Sequence, residues 1–208
     1  MVFEPSSTGE PEERWTVPSY VEDTSDWADW QRDYRLGLIL ILPPEHVARR
    51  IDALRARHDP RSHAICPAHI SISDPLRREM TPGLAEEVQA ILDQVEPFTL
   101  SYHRPHASPH RAGVACPITP QEAIDELKRS LHAASAFDDQ VHLRRNIPAH
   151  MTIAEFISIE DSRRLCEGLR ETVPGGSFLC DRLELIVPDE RFHFRRAGAF
   201  YLGGRSRK

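Results

Sequence analysis

A six-residue phrase occurs twice in this chain. Pro67-Ala68-His69-Ile70-Ser71-Ile72 returns 81 positions later as Pro148-Ala149-His150-Met151-Thr152-Ile153, with conservative changes at two places. A unit written twice predicts a fold of two related halves. Each copy reads as a short strand, because His-apolar-hydroxyl-apolar alternates with the two-residue period of a pleated strand and is rich in β-branched residues. Within each copy the imidazole and the hydroxyl then share one face. The apolar pairs, Ile70 with Ile72 and Met151 with Ile153, share the other, where a helix layer would bury them. The repeat thus brings two imidazoles and two hydroxyls to one cleft. That set suits phosphodiester chemistry, in which one His takes a proton from the attacking oxygen and the other gives one to the leaving oxygen.

Either motif alone would read as an ordinary strand histidine with a solvent-facing hydroxyl, and it is the duplicated Pro-Ala-His context that favours function. Two His-x-Ser/Thr-x units, each on a strand and half a domain apart, resemble the signature of the two-histidine (2H) phosphoesterase superfamily, which includes bacterial RNA 2',3'-cyclic phosphodiesterases, also called 2'-5' RNA ligases. The segment Tyr34-Arg35-Leu36-Gly37-Leu38-Ile39-Leu40-Ile41-Leu42-Pro43-Pro44 is similar to the family's first strand and the proline-started helix after it. The resemblance covers roughly Tyr34 to Leu202. It implies an α+β fold of two pseudo-symmetric lobes, with antiparallel sheets lining a central cleft and helices on the outside. It also implies hydrolysis of a 2',3'-cyclic phosphate or a 2'-5' phosphodiester by water, with neither metal nor cofactor. His69 and His150 would be the acid and base, and Ser71 and Thr152 would donate to the non-bridging oxygens, where charge grows. For hydrolysis His150 is taken as base and His69 as acid, and a ligation direction would exchange them. An imidazole's ordinary pKa of about 6.5 suits both tasks.

Strand and helix alternate along the chain. Helices are expected over Pro44 to His58, with Val47, Ile51 and Leu54 on one face, over Leu84 to Val95, from Thr119 to about Ala134, and from about Glu160 to Glu171. Thr119 with Glu122 resembles a capping box for the third of these. Further strands are expected at Phe98 to His103, Gly113 to Ile118, Phe178 to Val187 and Phe192 to Leu202. Because the halves repeat, two pseudo-symmetric lobes fit better than a doubly wound parallel sheet.

Charge divides the chain further. Residues 1–33 carry nine acids against two arginines, a net −7, so the other 175 residues sum to +1. Three parts are expected: an acidic arm over 1–33, the catalytic domain over 34–202 and a basic tail over 203–208. A nearly neutral domain argues for a small nucleotide or an RNA end as substrate, not a long nucleic acid held electrostatically. The most hydrophobic stretch, Leu36 to Leu42, is too short to span a bilayer. No basic segment followed by an apolar run opens the chain, and Cys66, Cys116, Cys166 and Cys180 lack CxxC spacing, so free thiols in a cytoplasmic monomer are expected. In the arm, Trp27 and Trp30 lie three apart, as on one helical turn docking its indoles onto the domain. The alternative is a lid that stacks on a base.

Other substrate contacts are candidates only. Arg144 and Arg145 precede the second motif and could hold a phosphate or form a solvated loop pair. Tyr34 and Arg35 open the first strand, where either could reach the cleft. Phe156 could stack on a base, although core packing is favoured, and Glu155 is expected to point away. The segment from His103 to Arg111 holds three histidines and two prolines, and reads as a substrate-contacting or surface loop before a metal site. Two alternatives to an enzyme remain: a module on the same fold that binds nucleotides or RNA ends without turnover, and a metal protein built on that loop.

Overall fold

Gly37 decides where the first strand begins. It has a φ of +84°, and a Cβ there would sit 2.1 Å from the Ile186 carbonyl oxygen, so a side chain is excluded. Tyr34 to Leu36 consequently form a turn, and β1 starts at Leu38, four residues later than expected. In the computed structural model, which describes residues 17–137 and 147–204, the strands are β1 (Leu38–Ile41), β2 (Ile70–Ser71), β3 (Phe98–Tyr102), β4 (His106–Ala107), β5 (Val114–Thr119), β6 (His150–Ala154), β7 (Gly176–Cys180), β8 (Arg182–Pro188) and β9 (Phe194–Tyr201). The helices are α1 (Asp29–Arg32), α2 (Glu45–His58), α3 (Pro60–Ile65), α4 (Pro82–Leu92), α5 (Gln121–Leu131) and α6 (Ile159–Leu169).

Every strand pairing is antiparallel, in the order β7-β3-β5-β6-β2-β1-β8-β9, with β4 on β5. The path divides into two four-strand halves that meet where β6 pairs β2. Strand β7 ends one half and β8 lies near the far end of the other, yet Cys180 and Arg182 are two residues apart. Two residues reach at most about 7 Å, so the sheet must curl back on itself, leaving a concave and a convex face. The two-lobed α+β architecture is therefore one continuous curled sheet.

Helices cover the convex face. Val47 and Ile51 of α2, Val88 and Leu92 of α4, and Ile124, Leu127 and Leu131 of α5 pack with Ile39, Ile41, Ile70, Ile72, Met151 and Ile153, all buried. Each such side chain contributes about 1.5–3 kcal/mol relative to exposure. On the concave face a smaller cluster of Leu38, Leu40, Cys66 and Ile186 is flanked by Tyr34 and Phe194. Among the described residues no helix is long and apolar enough to cross a membrane.

Several expected boundaries shift for local reasons. The expected strand from Phe178 to Val187 is two strands broken at Asp181, and the residues it sends into the main core change parity there, from Phe178 and Cys180 to Leu183, Leu185 and Val187. No capping box forms at Thr119, which ends β5 and bonds His103 through its hydroxyl at 2.8 Å, while Pro120 occupies the N-cap of α5. Helix α3 was not expected. Asp59 caps it by accepting from the Ser62 N–H, and Pro60 supplies the preset φ of a first turn. The indoles of the arm do dock: Trp27 is buried, donates to the Glu190 carbonyl at 2.9 Å and meets Phe192 edge-on, and Trp30 packs on Phe192 and Tyr34.

Candidate active site

Strand register builds the site. Ile41 lies opposite Ile70, Ile70 opposite Met151 and Met151 opposite Cys116, a fully buried row facing the helices. Directly opposed side chains share a face, so the rows on either side of this one face the concave side. Carried one residue each way, the Ile70–Met151 register sets Ser71 opposite His150 and His69 opposite Thr152. Each imidazole thus stands beside the other motif's hydroxyl. The two histidines lie on the diagonal, where side chains on neighbouring strands are about 7–8 Å apart. That spacing admits one phosphate between two imidazoles. His150 is exposed, and His69, Ser71 and Thr152 are half-buried.

Both imidazoles are held in the same way. His69 Nδ1 lies 2.7 Å from the Pro67 carbonyl oxygen and His150 Nδ1 lies 2.8 Å from that of Pro148. A carbonyl only accepts, so Nδ1 carries hydrogen in each ring, and Nε2 is the nitrogen that could exchange a proton. This gives the recurring proline a purpose: its fixed φ presents a carbonyl to the histidine two residues on.

The helices carry a second repeat that the motif-based sequence reading missed. Ile51-Asp52-Ala53-Leu54-Arg55 of α2 matches Ile124-Asp125-Glu126-Leu127-Lys128 of α5. Arg55 and Lys128 are each 1% exposed, and both donate to the carbonyl just before a motif proline, Arg55 to Cys66 and Lys128 to Ile147, each at 2.8 Å. The N–H of each motif alanine is also taken by a helix side chain, Ala68 by Asp52 at 2.8 Å and Ala149 by Gln121 at 3.0 Å. Arg55 further donates to the Thr152 carbonyl at 2.8 Å, so one guanidinium holds both motif strands. Asp59 completes the frame by accepting from the N–H groups of Ser62, Glu155 and Phe156. Burial pushes its carboxyl pKa up, but these three bonds and Arg55 outweigh that and hold it below the ordinary carboxylate range.

The remaining candidates are scattered. Arg144 and Arg145 lie outside the described residues. Tyr34 joins an edge-to-face aromatic group with Trp30, Phe192 and Phe194 beside the concave cluster. Arg35 donates to the Val21 carbonyl at 3.3 Å and lies 3.9 Å from Glu79, so it is engaged with the arm. Phe156 is 43% exposed and not core, with the Arg61 guanidinium 4.1 Å above its ring. Glu155 accepts from Ser62 on α3, at 2.9 Å. Of the histidine-rich segment, His106 and Ala107 form β4, and among the described residues no three His, Cys, Asp or Glu side chains gather to hold a metal ion. The four cysteines are free, and burial pushes the thiols of Cys66, Cys116 and Cys180 up to about 12, too high for a nucleophile near neutrality.

A charged group on the concave face also went unread in the sequence. Glu184 lies opposite Leu40, in the row of Ser71 and His150. Arg182 Nε is 2.6 Å from its carboxylate, and Arg196 binds both its oxygens, at 3.0 and 3.1 Å. Burial raises the Glu184 pKa more than its two arginine partners lower it.

Comparison with known proteins bears on this arrangement. The family model described as the 2'-5' RNA ligase superfamily matches residues 43–191. A curated Oceanobacillus iheyensis protein that carries a provisional phosphoesterase name is 26% identical over 120 residues, 56% of this chain and 68% of that protein. Among solved structures, E. coli LigT complexed with 3'-AMP aligns at 15% identity over 79% of this chain and 96% of its own, with a TM-score of 0.49. TT0787 of Thermus thermophilus aligns at 11% identity over 81% and 98%, also with a TM-score of 0.49.

Proposed function

This chain belongs to the 2'-5' RNA ligase superfamily, whose model matches more than half of it, and on that premise we propose that it is a metal-independent phosphoesterase opening a 2',3'-cyclic phosphate or a 2'-5' phosphodiester. The observation that supports this reading is the paired lock on His69 and His150, each ring held through Nδ1 by the carbonyl of its motif proline. A binding protein needs neither an acid nor a base at that spacing.

The phosphate sits between the two imidazoles. In hydrolysis His150 Nε2 takes a proton from the attacking water as its oxygen bonds to phosphorus. Protonated His69 Nε2 gives its proton to the ribose oxygen as that P–O bond breaks. Ser71 and Thr152 donate to the non-bridging oxygens, whose charge rises in the transition state. The reverse, ligase-like direction exchanges the two histidines. The substrate is an RNA end or a small nucleotide, and the enzyme acts as a monomer in the cytoplasm, a location that the free thiols support. The division into an arm over 1–33, a catalytic domain over 34–202 and a tail over 203–208 belongs to the same proposal.

The test is hydrolysis of 2',3'-cyclic mononucleotides in the presence of EDTA. Conversion to a nucleoside monophosphate is expected. Tight binding of the nucleotide without turnover would instead make the protein a binding module.

A further inference from the structure

The concave face continues past His150 into a cavity that the acid–base pair does not use. The β3–β5 register, Ser101 with Thr119 and Tyr102 with Ile118, sets His103 opposite Pro117, and the His103 N–H donates to the Pro117 carbonyl at 2.9 Å. Pro117 itself lies opposite His150. In the next row His106 lies opposite Ala115, and Ala115 opposite Thr152. His103 and His106 therefore share the face of the catalytic residues, two strand spacings away, or about 10 Å. The residues between, Pro117 and Ala115, are small and leave the floor low.

At that distance lies a cavity of about 630 Å³, lined by Ser101, His103, Arg104, His106, Pro117 and Gly176 among others. Its lining carries no carboxylate. Glu171 meets Arg104 at 3.4 Å with both side chains largely exposed, a weak, solvent-screened pairing that a phosphate would readily replace. The Thr119 hydroxyl bonds His103 Nε2 and orients the ring. Tyr102 is buried, and its hydroxyl crowds Gly176 so closely that a Cβ there would lie 2.6 Å away.

The pseudo-symmetry sharpens the contrast between the lobes. Carried one step on from Glu184, the register across β2, β1 and β8 sets Leu42 opposite His69 and Arg182 opposite Leu42, so Arg182 is the counterpart of His103. There the cation is already matched by Glu184 at 2.6 Å. On the β3–β4 side the partner carboxylate, Glu171, lies outside the cavity lining and meets Arg104 between two largely exposed side chains, whereas Glu184 is buried.

We propose that this cavity is an anion subsite that receives a second phosphate of the substrate while the scissile phosphate lies between His69 and His150. The proposal rests on the phosphoesterase reading and narrows it: the substrate is a nucleotide or RNA end with a phosphate besides the one attacked. His103, Arg104 and His106 donate to that second group, and Ser101 closes one side.

Calorimetric titration with adenosine 2'-monophosphate and adenosine 2',5'-bisphosphate tests it without requiring turnover. Wild type should bind the bisphosphate about tenfold more tightly or better. In the His103→Ala/His106→Ala variant, and to a lesser degree in Arg104→Ala, the ratio should fall towards one. All three side chains are exposed, so folding is not at stake. Equal affinities in wild type, or a preference that survives in the double variant, would overturn the subsite and leave the phosphoesterase reading standing. Failure of both nucleotides to bind wild type would also overturn the subsite, while the phosphoesterase reading is judged separately by turnover.

Discussion

Ile70 lies directly opposite Met151, and through this pair the two four-strand halves of the sheet meet. Both side chains are fully buried on the helix side. Their neighbours on each strand must therefore face the cleft, which seats His69 beside Thr152 and Ser71 beside His150. A slip of one residue by either strand at this seam would turn that strand's histidine and hydroxyl into the core. The apolar half of each motif thus fixes where the polar half works.

The hydroxyls are expected to act on the transition state more than on binding. Ser71→Ala and Thr152→Val should each lower kcat by about 10²-fold with a smaller change in KM, as loss of an oxyanion donor does. Steady-state kinetics on a cyclic mononucleotide checks this. A loss confined to KM would make the hydroxyls ground-state contacts.

Arg55 is a positioning residue. Its guanidinium spans the carbonyls of Cys66 and Thr152, and Lys128 repeats half of that role at Ile147. Arg55→Met should destabilise the fold by about 3–5 kcal/mol in urea unfolding, because the carbonyls of Ser62, Cys66 and Thr152 lose a charged donor. Arg55→Lys keeps the charge but not the fork, so it should fold and lose kcat about tenfold at nearly constant KM, with displaced imidazole resonances of His69 and His150 in NMR spectra. Unmoved resonances and normal kcat would make Arg55 a stability element only.

Asp59 should make stability depend on acid. Its folded pKa is held below the ordinary value, so between the two pKa values the unfolded chain binds more protons and stability falls as pH falls. The contribution is present in full at neutral pH, begins to fade below about pH 5, and is gone once pH passes below the folded pKa. Asp59→Asn should accordingly be less stable than wild type at pH 7, with the gap narrowing towards pH 3. A gap that stays constant across that range would assign the effect to hydrogen bonding alone.

The repeated phrase makes the seam legible from the sequence alone, because a period-2 pattern states both the strand and its two faces. Gly37 is less legible: nothing local marks it as the start of β1, and its positive φ is required by the Ile186 carbonyl from β8. The break at Asp181 is hidden in the sequence, because Leu179 before it and Ile186 after it are apolar on the off-parity positions and blur any period count. The pair Ile51-Asp52-Ala53-Leu54-Arg55 and Ile124-Asp125-Glu126-Leu127-Lys128 is visible as a second repeat. Its charged members look like solvated helix residues in one dimension, and only the packing of α2 and α5 against the motif strands buries them. Arg182 and Glu184 share a face of one strand by simple period 2, but Arg196 joins them from β9 by strand pairing, and it is that contact the sequence does not announce.

The most direct test of the central claim is turnover of a 2',3'-cyclic mononucleotide in EDTA by wild type, His69→Ala, His150→Ala and the double variant. Each single variant should lose about 10²-fold to 10⁴-fold in kcat, and the double variant should be little slower than the slower single, because the two imidazoles act as a unit. Full activity in either single variant would contradict the paired-histidine mechanism.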